Sequence, residues 1–108
     1  MIVEQRTYNL HVATTGEYLK RYQEEGLAIQ RPILGTMVGY FSTEIGPLNQ
    51  IVHMWAYEDM GDREQRRATL KSDPRWVKYS ASVRQYIISQ ENKILIPAAF
   101  SPYATPAP

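Results

Sequence analysis

An α+β fold on one four-stranded antiparallel sheet is predicted by three features of the sequence. Residues 2–10, 36–45 and 51–57 carry the two-residue alternation and the β-branched and aromatic content of strands, and residues 89–96 supply a fourth. Two longer segments between them repeat apolar residues at three- and four-residue steps, as amphipathic helices do. Their order along the chain is β-α-β-β-α-β with the second helical segment split in two, the ferredoxin-like arrangement.

In the first strand Ile2, Glu4, Arg6, Tyr8 and Leu10 share one face, and Val3, Gln5, Thr7 and Asn9 share the other. Thr14 and Glu17 then have the spacing of a capping box, which predicts a helix start. Tyr18, Tyr22, Gly26, Ile29 and Ile33 form its buried stripe, Gln30 points elsewhere, and Pro32 and Gly35 end it. Residues 46–49 connect the two middle strands into an antiparallel hairpin. Within the second of these, Ile51, His53, Trp55 and Tyr57 fall on one face, and Val52, Met54 and Ala56 on the other. The plainly apolar second face is expected to receive the helices, and the mixed aromatic face a ligand. Asp59 or Asp62 caps a polar helix to Ser72, and Asp73-Pro74 starts another, whose Trp76, Tyr79, Val83 and Tyr86 or Ile87 suit a sheet. Ile94 and Ile96 share one side of the last strand. Four prolines from Pro97 to Pro108 exclude regular structure there, so the division is a domain over 1–102 and a Pro-rich tail over 103–108.

At 108 residues the chain is one domain, near the size where oligomerisation adds useful burial. A formal charge of +1 gives no field for nucleic acid or an anionic membrane. The absence of cysteine excludes disulfides, thiolate metal sites and cysteine nucleophiles. With no signal-like start and no apolar run of about 20 residues, the expectation is a soluble, cytoplasmic chain. No phosphate loop, zinc spacing, Ser-His-Asp order or dinucleotide turn is present, so no metal and no cofactor is expected.

His53 is the histidine with a chemical reading: a general base, a donor to a ligand carbonyl, a haem ligand, or a satisfied core side chain. Glu4 and Arg6 share a strand face with Tyr8, either as a buried ion pair or as a carboxylate orienting a guanidinium toward an anion. Arg63 and Arg67 lie one turn apart with Arg66 beside them, on a solvated, salt-bridged face or at an anion site. Tyr40 and Trp76 close a pocket or pack in the core.

Taken together, Glu4, Arg6 and Tyr8, then Gly39-Tyr40, Leu48-Asn49, the His53-Met54-Trp55-Ala56-Tyr57 strand, Arg63, Arg67 and Asp73-Pro74 with Trp76 resemble the NIPSNAP family over residues 2–102. The resemblance implies a ferredoxin-like domain that pairs through its open sheet face into a homodimeric α/β barrel, with higher oligomers open. Eukaryotic relatives linked to mitochondria and vesicle traffic carry additional sequence. Related barrels include cofactor-free monooxygenases, lactone isomerases and haem-dependent chlorite dismutases, so architecture does not select a reaction. The leading expectation is a small, partly apolar anion bound inside the barrel. Arg6, Tyr8, Tyr40, His53, Trp55 and Tyr57 line that site, with Glu4, Arg63, Arg67 and Trp76 contributing. In a cofactor-independent isomerase or oxygenase His53 is the acid/base and Arg6 stabilises negative charge. The alternatives are a non-catalytic interaction module and a haem-binding barrel.

Overall fold

A computed structural model of the chain describes residues 1–103. Strand β1 (Ile2–Leu10) leads to α1 (Thr15–Arg21), a five-residue π turn (Tyr22–Gly26) and α2 (Leu27–Leu34), which are continuous. Then follow β2 (Thr36–Ser42), β3 (Gln50–Tyr57), α3 (Met60–Ser72), α4 (Pro74–Val83), a short 3₁₀ turn (Arg84–Tyr86) and β4 (Ile87–Leu95). The strands are antiparallel neighbours in the order β2-β3-β1-β4, so the ferredoxin-like topology is present.

The barrel expectation is corrected by that order. Among the described residues β2 and β4 are the edges, with no strand beyond either, and the sheet is open. Four strands are too few to close on themselves around side chains; closure takes about eight. The tail beyond Tyr103 lies outside the described residues.

A second correction concerns the faces. Ile51, His53, Trp55 and Tyr57 turn toward the helices and are buried, while Val52 and Met54 lie on the open side. A strand does not choose its face alone. Register places Tyr8 opposite Ile51, Arg6 opposite His53, Glu4 opposite Trp55 and Ile2 opposite Tyr57, so the large side chains of β1 and β3 must go the same way. On the other side Met54 sits beside Gln5 and Val52 beside Thr7, a combined surface poorer in apolar area than β3 suggested by itself.

Two clusters join the layers. Tyr8, Leu10 and Ile51 of the sheet pack with Tyr18, Tyr22, Tyr79 and Val83 of the helices. Ile2, Trp55 and Tyr57 pack with Leu34 and Leu70. Burial of this apolar area is the main favourable term in the fold.

Helix boundaries follow local chemistry with two exceptions. Asp59 caps α3 by accepting from the Asp62 amide at 2.7 Å, and Asp73 caps α4 by accepting from the Arg75 amide at 2.9 Å, with Pro74 in the first turn. Thr14 does not form the expected capping box; its hydroxyl donates instead to the His11 carbonyl at 2.6 Å. Pro32 does not end α2, which continues to Leu34 and stops at Gly35 with φ of +91°. The last strand begins at Ile87, two residues earlier than expected, and Ile96 lies past its end.

Candidate functional site

Between β1, β4 and helices α2, α3 and α4 lies an open cleft of about 410 Å³. Arg6, Arg63, Arg67 and Lys71 bring cations to it, and Tyr8, Leu70 and Trp76 form its less polar wall. At its inner end Tyr8, Gln30, Trp76, Ser80 and Gln90 are shared with a smaller chamber of about 70 Å³, which is otherwise lined by Tyr18, Tyr22, Tyr40, His53, Tyr79 and Val83 among others.

Glu4 organises the cations. Its carboxylate is fully buried and accepts from Arg63 Nη2 at 2.7 Å and from Arg6 Nη1 at 3.4 Å, while Arg67 Nη1 stands 3.9 Å from the other oxygen. Arg6 also donates through Nε to the Tyr8 hydroxyl at 3.0 Å. With the Asn92 amide turned so that its oxygen faces Arg6, that oxygen accepts from Arg6 Nη1 at 2.8 Å. Arg67 Nη1 is buried without a hydrogen-bond partner, and burial and then the neighbouring Arg6 hold the Arg67 pKa below its ordinary value. One buried carboxylate thus answers three guanidiniums. Lys71 and Glu64 at the mouth offset each other, so the cleft keeps a surplus of two positive charges.

The chamber is aromatic. Tyr40 stacks between His53, at 4.6 Å between centroids, and Tyr22, at 4.5 Å, and Tyr8 meets His53 edge-on at 4.9 Å. Trp55 Nε1 donates to His53 Nδ1 at 2.8 Å. Burial first, then Arg6 and Arg67, pulls the His53 pKa down to about 3, so the imidazole is neutral at ordinary pH. Tyr18, Tyr22, Tyr40 and Tyr79 all have phenol pKa values raised chiefly by burial.

The structure brings Glu4, Arg6, Tyr8, Arg63, Arg67 and Trp76 together around the cleft, and Tyr40 and His53 around the chamber. Trp55 touches the site through His53, and Tyr57, whose ring lies in the second core cluster, brings its hydroxyl beside Glu4, Arg63 and Arg67. Among the neighbouring arginines, Arg63 and Arg67 face Glu4, whereas Arg66 bonds Asp62 at 2.8 Å and the Ile33 carbonyl at 3.1 Å. Sequence reasoning missed Gln30, Lys71, Ser80 and Gln90. Gln90 was within reach of it: β4 alternation puts Gln90, Asn92 and Ile94 on one side, opposite Tyr8, Arg6 and Glu4. Gln30 was not, because the π turn adds a residue and rotates the helix phase, placing Gln30 Oε1 2.6 Å from the Tyr22 hydroxyl that donates to it. Among the described residues no helix is long and apolar enough to cross a membrane.

An open ferredoxin-like sheet, covered on one face by helices and holding a cationic cleft between the layers, defines the class of this molecule. The chain belongs to the NIPSNAP family, whose model matches residues 3–102. It is similar to a NIPSNAP family protein of Agrobacterium tumefaciens, with 50% identity, a TM-score of 0.91 and coverage of 94% of this chain and 96% of that one. A NipSnap homolog of Dictyostelium discoideum is 35% identical across 87% of this chain and 41% of its own length, and the human NipSnap homolog 3B is 41% identical across 61% and 27%. The chain therefore spans well under half of these curated relatives. An antibiotic biosynthesis monooxygenase superposes with a TM-score of 0.64 at 10% identity and shares the fold alone.

Proposed function

We propose that this domain binds a small, partly apolar anion in the cleft between its sheet and its helices. The observation that supports this reading is the charge imbalance at Glu4, where three arginines share one buried carboxylate and Arg67 keeps an unused, buried donor. A guanidinium left in this state gains a strong, charge-assisted partner when a carboxylate or phosphate enters. Tyr8 and Trp76 give the rest of such a molecule an aromatic surface. The site is built to hold negative charge rather than to move protons. Its carboxylate is tied to arginines, and His53 has no charge to give at ordinary pH, so binding is the function proposed and the acid/base role for His53 is set aside. The haem reading is also set aside, because a chamber of about 70 Å³ beside His53 does not admit a macrocycle.

Calorimetric titration with benzoate and its uncharged counterpart benzamide tests the reading. Benzoate should bind and benzamide should not, and Arg67→Ala should weaken benzoate about tenfold. Equal behaviour of the two probes would sink it.

The open sheet face supports a second, separate reading, a partner surface. Val3, Val38, Met54, Leu95 and Ile96 line an apolar groove there, bordered by Pro97, Ser101 and Tyr103 of the chain's own C-terminal segment. Glu91 and Lys93 stand on the same face, opposite Thr7 and Gln5. A second copy turned by a two-fold axis offers the same apolar strip and sets each acid against a base, so a second copy is the occupant we propose.

A further inference from the structure

Resting on the anion reading, we infer that His53 serves as a fixed, neutral hydrogen-bond donor through Nε2 to an acceptor oxygen of the ligand, and that the ligands accepted are short oxo carboxylates.

The tautomer follows from the partner on the other nitrogen. An indole N–H only donates, so the 2.8 Å contact from Trp55 Nε1 requires a lone pair on His53 Nδ1. In a neutral imidazole the proton then sits on Nε2. Trp55 is thereby a positioning residue, setting both ring orientation and tautomer. The ring is held further by the Tyr40 stack at 4.6 Å and the Tyr8 edge contact at 4.9 Å, and only 1% of His53 is exposed.

Nε2 itself is buried and has no hydrogen-bond partner. A buried donor left unmade is costly, and native interiors rarely tolerate one without a use for it. His53 lines the inner chamber, and its register partner across the strands is Arg6, whose guanidinium serves the cleft. Arg67 stands beside Arg6 at Glu4, and both guanidiniums act on the His53 ring, so donors for a carboxylate and for a second oxygen lie close together, which suits two oxygen-bearing groups in one small molecule. The second group is best an acceptor alone. A carbonyl is satisfied by one N–H between aromatic rings, whereas a hydroxyl there needs a second partner for its own proton.

Benzoylformate and phenylacetate share ring, carboxylate and length and differ in the carbonyl, and benzoylformate has no enol form. The wild-type chain should bind benzoylformate about tenfold more tightly than phenylacetate by calorimetry. In Trp55→Phe, where Nδ1 loses its partner, that ratio should fall toward one. Nitrogen NMR of the imidazole should show the proton on Nε2 alone in wild type and a mixture of tautomers in the variant. Equal binding of both acids, with each still weakened by Arg67→Ala, would leave the anion site standing and overturn the donor role, the N–H then being spent on the Tyr8 ring. A wild-type spectrum with the proton on Nδ1 would overturn it without any ligand. Failure of both acids to bind would remove the anion reading and this inference with it.

Discussion

Glu4 and His53 show how much of this site is decided by single charges. Removing the negative charge by Glu4→Gln leaves three guanidiniums facing one another in a partly buried space. The expected cost is about 3 kcal/mol in urea unfolding, partly recovered by added benzoate, and a loss below about 1 kcal/mol would mean that solvent screens the cluster. His53 gives the fold a pH dependence of definite sign. Its folded pKa of about 3 lies below the unfolded value of about 6.5, so the unfolded chain takes up the proton first. Stability from this group is complete above about pH 6.5 and falls by about 1.4 kcal/mol per pH unit between about pH 6.5 and pH 3. Unfolding free energies from urea titrations at about pH 7 and pH 5 should differ by roughly 2 kcal/mol for this reason, and His53→Gln should flatten that part of the profile. At this scale the residue types were legible in the sequence. The Glu4, Arg6 and Tyr8 line and the His53, Trp55 and Tyr57 line follow from alternation, because a strand's side-chain period is fixed by its backbone.

At the scale of elements, the π turn between α1 and α2 shapes the chamber. Within it Gly26 packs where a Cβ would meet the Tyr79 ring at 2.7 Å and the Tyr22 ring at 2.9 Å. Gly26→Ala should therefore destabilise the chain by about 1–3 kcal/mol in urea unfolding, despite alanine's better helix propensity, because both rings are held in the core. A stabilised variant would show that the rings have room to retreat. The turn also explains a limit of periodic reading. The Tyr18 and Tyr22 part of the stripe was legible, since it precedes or begins the insertion, whereas Gln30 follows it and its side chain arrives on the buried side. Both aspartate caps were readable for the opposite reason: a cap is a contact between residues two or three apart and needs no tertiary context.

Among the described residues no helix covers one sheet face, on which Phe41 is 53% and Leu95 37% exposed. Light scattering on the eluting protein should give twice the chain mass, and Phe41→Lys with Leu95→Lys should return it to one chain without changing benzoate affinity in the cleft. A wild-type monomer at the same concentration would remove the second-copy reading and leave the anion site untouched. The sequence by itself determined the number and kind of elements, their order, the family and the set of residues that carry charge or rings, because periodicity, caps and motifs are local properties of the chain. Only the tertiary structure decided that the sheet stays open and that the aromatic face lies under the helices. It also decided that Arg63 and Arg67, rather than Arg66, reach Glu4. Those outcomes depend on the register between strands and on the summed burial of four strands against four helices. No single segment carries that information, so the face of β3 was settled by Ile2, Tyr8 and Leu10 on its neighbour as much as by its own residues.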